Sequence, residues 1–254
     1  MARKRKKHRP NTQNIAKSQV VSRHEKPKLV VTQDNQLVNA CYTMTLNEKR
    51  LLLLAISKID STRFPEPGKA PISVVVSVSD WIAHYAGKDP KAAYQEVQQA
   101  SRRLLRRQVT VRKGAPNYQV MNWLDSCEYQ PGEACVSIVF GYTVGLYLRG
   151  LQEQFTKISL LSAQELRSFH SIRLYELLFS FKSTKTRVEP LEALRERLEL
   201  KQAYPRYADF KRRVVDPSIA EINSKTDIQV SYEPIKNGRK IVSLRFIINN
   251  AITA

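Results

Sequence analysis

The sequence has few of the residues that build redox, metal or nucleotide sites. Its 254 residues include three cysteines, which form no CxxC pair, and four histidines scattered without metal-ligand spacing. No GxGxxG or GxxxxGK segment occurs, so no loop of the kind that cradles nucleotide phosphates is expected. We therefore expect no cofactor, no metal and no enzymatic activity. Three cysteines without an even framework suit a reducing compartment.

Long hydrophobic runs are also missing. The longest is Leu51–Ile56, whereas a membrane-spanning helix needs about 18 or more apolar residues. The N-terminus is basic and leads into no apolar stretch that resembles a signal peptide. We therefore expect a soluble protein that is not secreted and has no membrane partner.

Acidic residues are scarce, and the sequence carries a net charge of +19. Residues 1–30 hold ten Lys and Arg against one Glu and show no apolar periodicity, which predicts a disordered basic tail over residues 1–27. The other 224 residues still carry a net charge of +10, so the folded part is cationic too. A polyanion partner follows, and nucleic acid is favoured over a membrane because basic positions recur in candidate helices and hairpin turns.

One order of elements occurs twice along the chain: helix, strand, helix, basic helix, hairpin. The first copy starts at Thr45 and Glu48, in the spacing of a capping box, and the second at Ser162 and Glu165 in the same spacing. The first hairpin has the turn RKGAPN, and the second turns at Asn237-Gly238, a strong hairpin signal. This is the order of a winged helix, in which the third helix enters a DNA groove and the hairpin tip contacts the backbone beside it.

The basic helix of the second copy, YADFKRRVVDPSIAEIN, is amphipathic at about 100° per residue. Its apolar arc consists of Phe210, Val214, Val215 and Ile222, with Ile219 at the margin, and Arg212, Arg213, Asp216 and Asn223 lie opposite. Lys211 projects onto the apolar arc, so its long side chain is expected to reach outward from the core edge. The cations lie near the N-terminal end of the helix, the end that a recognition helix presents to bases.

Pro217 lies inside this helix. Either the helix kinks there, or Asp216 caps a second short helix with Pro217 at its first position. The apolar phase continues past the proline, which favours the kink.

Several segments resemble a known family. LQEQFTKISL, IRLYELL, YADFKRRV and EINSKTDIQVSY are similar, in that order, to the C-terminal half of the Rep-family plasmid replication initiators that bind iterons, and MTLNEKRLLLLAIS resembles the first helix of their N-terminal domain. The resemblance covers about residues 28–249. It implies an α+β fold of two tandem winged-helix domains related by a pseudo-two-fold. We expect an N-terminal domain over residues 28–142, a connecting helix over 143–157 and a C-terminal domain over 158–254.

The resemblance also implies the partners and the mode of action. A monomer would bind double-stranded origin iterons to start replication, and a homodimer in equilibrium with it would bind an operator inverted repeat and repress the initiator's own gene. The host initiator, the replicative helicase and chaperones are the implied protein partners, in the bacterial cytoplasm on the nucleoid or plasmid. The N-terminal domain would mainly contact phosphates and carry the dimer interface.

The expected DNA contacts lie on the two basic helices and the two hairpin tips. In the second domain, the resemblance assigns base reading to the helix cations Arg206, Lys211, Arg212 and Arg213, and the pattern adds Asn223 and the hairpin residues Lys236, Arg239 and Lys240. In the first domain, the candidates are Arg102, Arg103 and Arg106 on the helix and Arg112 and Lys113 at the hairpin.

Two other functions remain open from the residues alone. A dedicated sequence-specific transcriptional repressor could use the same fold without an initiation role. A sequence-neutral RNA or chromatin-like binder would use the charge but not the repeated order of elements.

Overall fold

The computed structural model describes residues 29–63, 71–85, 89–114 and 116–251. The tail predicted over residues 1–27 lies outside the described residues. Helices and strands alternate in the order expected of two successive winged helices, and the fold class is α+β.

The first domain runs from β1 to α5. Its elements are β1 (Val30–Asp34), α1 (Asn35–Val38), α2 (Leu46–Ile56), β2 (Ser73–Ser77), α3 (Val78–His84), α4 (Pro90–Leu104), β3 (Gln108–Arg112), β4 (Tyr118–Asn122), β5 (Leu124–Gln130), β6 (Cys135–Phe140) and α5 (Tyr142–Gly145).

The second domain runs from β7 to β10. Its elements are β7 (Phe155–Ser159), α6 (Leu160–Gln164), α7 (Phe169–Phe179), β8 (Thr186–Pro190), α8 (Leu191–Arg197), α9 (Tyr207–Phe210), a π-helical segment (Lys211–Val215), α10 (Asp216–Lys225), β9 (Ile228–Asn237) and β10 (Lys240–Asn250).

Each domain has a three-stranded antiparallel sheet behind its helices, with strand orders β2-β6-β5 and β8-β10-β9. In both sheets the strand between the second and third helices of the domain pairs with the last strand, and the last two strands form a hairpin. That hairpin is the wing of a winged helix. The two winged-helix domains are therefore confirmed.

The hairpin predicted around RKGAPN is present, but its assignment as the wing of the first domain is wrong. β3 and β4, which flank the turn RKGAPN, form a separate two-stranded sheet, and the wing of the first domain is β5–β6, which turns through Pro131–Glu133. The error arose because both hairpins follow α4, and only long-range pairing with β2 distinguishes them. In β5–β6, Cys127 lies opposite Ile138 and Cys135 opposite Gln130, so the two thiols do not face each other.

Helix starts were predicted with mixed success. At α2, Thr45 accepts a hydrogen bond from the Glu48 N–H while the Glu48 carboxylate accepts one from the Thr45 N–H, which confirms the first capping box. The second one is wrong, because Ser162 lies inside α6. The cap of the next helix is Ser168, whose hydroxyl accepts from the Ser171 N–H at the start of α7.

The connecting helix predicted over residues 143–157 is wrong. Only the short α5 is helical there, and β7 starts at Phe155. β7 pairs antiparallel with β1, from Val30 opposite Ser159 to Asp34 opposite Phe155. β1 of the first domain and β7 of the second domain thus form a two-stranded ladder that joins the two domains.

One continuous core links both domains. Leu51, Leu52 and Trp123 are fully buried in the first domain, and Leu178 and Phe246 are fully buried in the second. No helix in the described ranges is both long and apolar enough to cross a bilayer.

Candidate nucleic-acid interface

The recognition helix of the second domain spans α9, the π-helical segment and α10. Its buried side is the predicted apolar arc, consisting of Phe210, Val214, Val215, Ile219 and Ile222. α10 packs against α7. Because the large apolar side chains recur about every four residues, they line one side of the helix and leave the opposite side free of core contacts. Arg212 and Arg213 project from that free face and are exposed.

Pro217 neither ends nor divides this helix. Val215 and Asp216 both have right-handed helical backbone angles, so Asp216 does not cap a separate helix. Because proline lacks an N–H, it breaks one bond of the α-helical ladder, and the π-helical turn just before it rearranges that ladder. The alternative of a second helix capped by Asp216 is therefore wrong, and the sequence did not predict the π-helical segment.

The π-helical segment explains how Lys211 leaves the core. The Lys211 Nζ donates to the Asp216 carboxylate at 2.6 Å, across five positions, a spacing that brings side chains together in a π-helix but not in an α-helix. Asp216 also accepts from the Tyr232 hydroxyl of β9 at 2.5 Å. Burial raises the pKa of Asp216, but these two donors outweigh it, so the pKa lies below its usual value.

Two further cations, Arg212 and Arg213, lie within this segment. Arg212 is 71% exposed and forms an ion pair of 3.1 Å with Asp209. The Arg213 guanidinium lies 5.9 Å from the centre of the Tyr204 ring, and Arg213 has no carboxylate partner in the part of the chain that the structure describes. Arg206 is exposed just before α9. The structure therefore brings all four predicted helix cations to one end of the recognition helix.

The second wing is long and basic at its tip. β9 and β10 pair over their whole length up to Lys240 opposite Asn237. Gly238 has a φ of +58°, a left-handed conformation that glycine adopts without strain. Lys236, Arg239 and Lys240 are exposed, and none of them forms an ion pair with any described residue.

Asn223 has a structural partner. Its side-chain nitrogen donates to the Val230 carbonyl at 2.9 Å, and its side-chain oxygen accepts from the Val230 N–H at 2.6 Å. These bonds fix the start of β9 against the recognition helix, a role that the helical wheel did not indicate.

The recognition helix of the first domain is α4. Asp89 caps it, Pro90 occupies its first turn, and Ala93, Val97, Ala100 and Leu104 are buried. The predicted cations Arg102, Arg103 and Arg106 are exposed at its C-terminal end. The guanidinium of Arg102 lies 5.5 Å from the centre of the Tyr129 ring.

The sequence analysis missed two residues of α4. Gln95 and Gln99 are exposed, one helical turn apart, on the face that the core leaves free. Glutamine can form two hydrogen bonds with an adenine edge, so both are candidate base contacts. Their spacing of four residues within an amphipathic helix was the available signal.

Arg112 and Lys113 do not lie on a wing. Arg112 forms an ion pair with Glu196 of α8, and the Lys113 Nζ donates to the Tyr147 hydroxyl at 2.5 Å. The described residues contain no group of His, Cys, Asp and Glu that could hold a metal ion.

Comparisons with known proteins agree with this architecture. Residues 30–179 match the family model of the initiator replication protein WH1, and residues 190–248 match that of the initiator Rep protein WH2. The PI protein of Escherichia coli is 26% identical over 86% of this chain and 82% of its own length. An uncharacterized 27.6 kDa protein of Escherichia coli is 27% identical over 85% of this chain and 94% of its own length.

A solved structure shares the fold. The crystal structure of the Pi initiator protein in complex with iteron DNA matches 91% of this chain and 100% of that chain, with a TM-score of 0.73 and 24% sequence identity.

Proposed function

Because the chain belongs to the family of initiator replication proteins, we propose that it starts the replication of a plasmid by binding the iterons of the plasmid origin as a monomer. The observation that carries this proposal is the cluster of exposed cations at one end of the second recognition helix, beside a basic wing. The Pi initiator protein, whose crystal structure contains iteron DNA, supports the choice of substrate because it shares the fold.

The second domain reads bases in this proposal. Arg213 and Arg212 enter the major groove, where an arginine can bind O6 and N7 of guanine with two hydrogen bonds. Arg206 and Lys211 flank them. The wing cations Lys236, Arg239 and Lys240 contact phosphates of the adjacent backbone and hold the domain in register.

The first domain mainly contacts the phosphates of the DNA backbone. Its cations Arg102, Arg103 and Arg106 lie at the C-terminal end of α4, away from the helix end that usually contacts bases. Gln95 and Gln99 add limited base reading. The proposal does not depend on Arg112, Lys113 or Asn223, since their side chains have partners within the protein.

The protein acts without chemistry of its own. Binding deforms the origin and recruits the host initiator, the replicative helicase and chaperones. A dimer, formed through the first domain, binds an operator inverted repeat and represses the initiator's own gene.

Replication in trans tests this function. A plasmid that lacks its initiator gene but keeps the origin should replicate when the protein is supplied from a second replicon, and the Arg213→Ala variant should fail to support it. Repression of the operator without replication of the origin would favour a dedicated transcriptional repressor. Binding of all duplexes and RNAs alike would favour a sequence-neutral binder.

A further inference from the structure

A set of buried charges joins the two domains. Lys49 of α2 is 0% exposed, and Glu176 of α7 is 1% exposed, yet the Lys49 Nζ donates to the Glu176 carboxylate at 2.7 Å. Arg173, one turn before Glu176 and 0% exposed, donates to the other carboxylate oxygen at 2.7 Å. One carboxylate therefore balances two cations from different helices.

The same charges are tied to one more segment of the first domain, residues 38–42. Arg173 donates to the carbonyls of Val38 and Ala40, each at 3.0 Å. Its guanidinium lies 4.1 Å from the centre of the Tyr42 ring, and the Tyr42 hydroxyl accepts from Lys49 at 2.9 Å. α7 itself packs against α10, which continues the second recognition helix. The polar contacts of α7 and its packing against α10 thus connect the first domain to the base-reading helix.

A second group of contacts lies nearer the surface. The Asn39 side-chain oxygen accepts from Arg187 at 2.8 Å, and its carbonyl accepts from Arg197 at 3.3 Å. Arg112 of β3 pairs with Glu196 of α8. We use the term ionic seam for the contacts made by Lys49, Arg173, Glu176, Asn39, Arg187, Arg197, Arg112 and Glu196.

The chemistry of the ionic seam restricts how the domains can move. Separating a buried ion pair leaves an unpaired charge in the core, which is strongly unfavourable, so a buried charge must keep its partners within hydrogen-bond distance. Burial lowers the pKa of Lys49 to about 8. Burial also raises the pKa of Glu176, but Lys49 and Arg173 outweigh it and hold that pKa below its usual value. The 2.7 Å contact between Lys49 and Glu176 therefore holds α2 against α7.

We propose that the ionic seam determines the length of the DNA site, because it fixes the first winged helix relative to the second and so sets the number of base pairs between their contact patches. This inference rests on the proposed function. Lys49 and Glu176 are positioning residues and touch no DNA in it. Each inserted base pair rotates one patch by about 34° relative to the other, since a turn of B-DNA has about 10.5 base pairs.

The experiment measures spacing selectivity with the full chain. A duplex is first selected from a random library with the wild-type protein, and its two contact patches are mapped. Affinity is then measured for that duplex and for versions with one or two base pairs inserted between the patches. We expect the wild-type protein to lose at least about tenfold in affinity on insertion, comparable to the loss of a specific base contact.

Two variants weaken the ionic seam. Lys49→Met removes the bond to Glu176 and leaves the pair of Glu176 and Arg173 balanced in charge. We therefore expect this variant to lose only about threefold in affinity when base pairs are inserted between the contact patches. Glu196→Gln removes the negative charge that pairs with Arg112 and so weakens this surface contact. We expect a smaller reduction of the affinity loss than with Lys49→Met, and this variant tests the inference if Lys49→Met does not fold. Thermal unfolding establishes which variants are folded.

Lys182→Met is the matched control, because it removes a lysine-carboxylate pair of 3.0 Å, with Asp227, that lies within the second domain. It should keep the wild-type spacing selectivity. If the folded seam variants also keep it, the inference is overturned while the proposed function stands. A selected duplex with only one contact patch overturns the inference too, and failure to select any duplex contradicts the proposed function itself.

Discussion

The two domains have the same architecture but place their charges differently. In the second domain, the exposed cations occupy the start of the recognition helix, and the wing tip carries Lys236, Arg239 and Lys240. In the first, the cations lie at the end of α4, and the wing turn Pro131–Glu133 contains an acidic residue and no cation. One fold is thus expected to read sequence in one half of the chain and to hold the DNA backbone in the other.

This difference in the position of the cations indicates which domain determines specificity for DNA sequence. We expect the end of the helix that carries the arginines to matter more than their number, since the N-terminal end of a recognition helix contacts the bases. In the second domain, the π-helical segment adds to this by bringing Lys211 out to Asp216.

Replacing an arginine of the second recognition helix should have the largest effect on discrimination. We expect Arg213→Ala or Arg212→Ala to weaken binding of the selected duplex by about 1 to 3 kcal/mol, because a pair of hydrogen bonds to guanine is lost. Binding of random DNA should weaken much less. Electrophoretic mobility shifts with both DNAs measure the ratio.

The matched change in the first domain is Arg103→Ala. Arg103 is equally exposed, so loss of a cation alone would give the same result in both domains. We expect Arg103→Ala to weaken both DNAs alike. If the Arg213 and Arg103 variants change the ratio of affinities for selected and random DNA equally, the two domains do not differ in base contacts and phosphate contacts as proposed.

Limited base reading by the first domain should give an intermediate effect. We expect Gln99→Ala to cost about 1 kcal/mol on the selected duplex, at the lower end of the range for a base contact. Selection from a random library should then show relaxed preference at one or two positions only. Relaxation over the whole site would place the main reading helix in the first domain.

Exchanging the charges of the two wings should have the smallest effect on discrimination. Arg239→Ala in the second wing should lower the slope of log affinity against log salt by about 1, and Glu133→Lys in the first wing should raise it by a similar amount. Both changes should act on cognate and random DNA alike. A loss confined to the cognate duplex would mean that Arg239 reads bases.

Local signals predicted much of this fold. The capping box at Thr45 and Glu48, the hairpin signal at Asn237-Gly238 and the apolar arc of the recognition helix each depend on residues close in sequence. The structure confirms the capping box, the hairpin and the arc, but the two turn residues are Gly238 and Arg239, one position later than predicted. The resemblance of the segments to a known family supplied the pair of winged helices.

Features that depend on distant residues were missed. Only pairing with β2 identifies β5–β6 as the wing, and the partner of Lys49 lies 127 positions away at Glu176. The π-helical segment is likewise invisible to an analysis that assumes 3.6 residues per turn. The fold of each domain was therefore more predictable from the sequence than the contacts between the two domains.

Purine methylation interference on the selected duplex tests the central claim most directly. With the protein at concentrations where sedimentation shows a monomer, we predict two major-groove patches about 10.5 base pairs apart on one face of the DNA. One patch should tolerate few base changes, and its interference should disappear with Arg213→Ala, whereas the other should persist. A single patch, or two patches of equal stringency, would contradict the division of labour between the two domains.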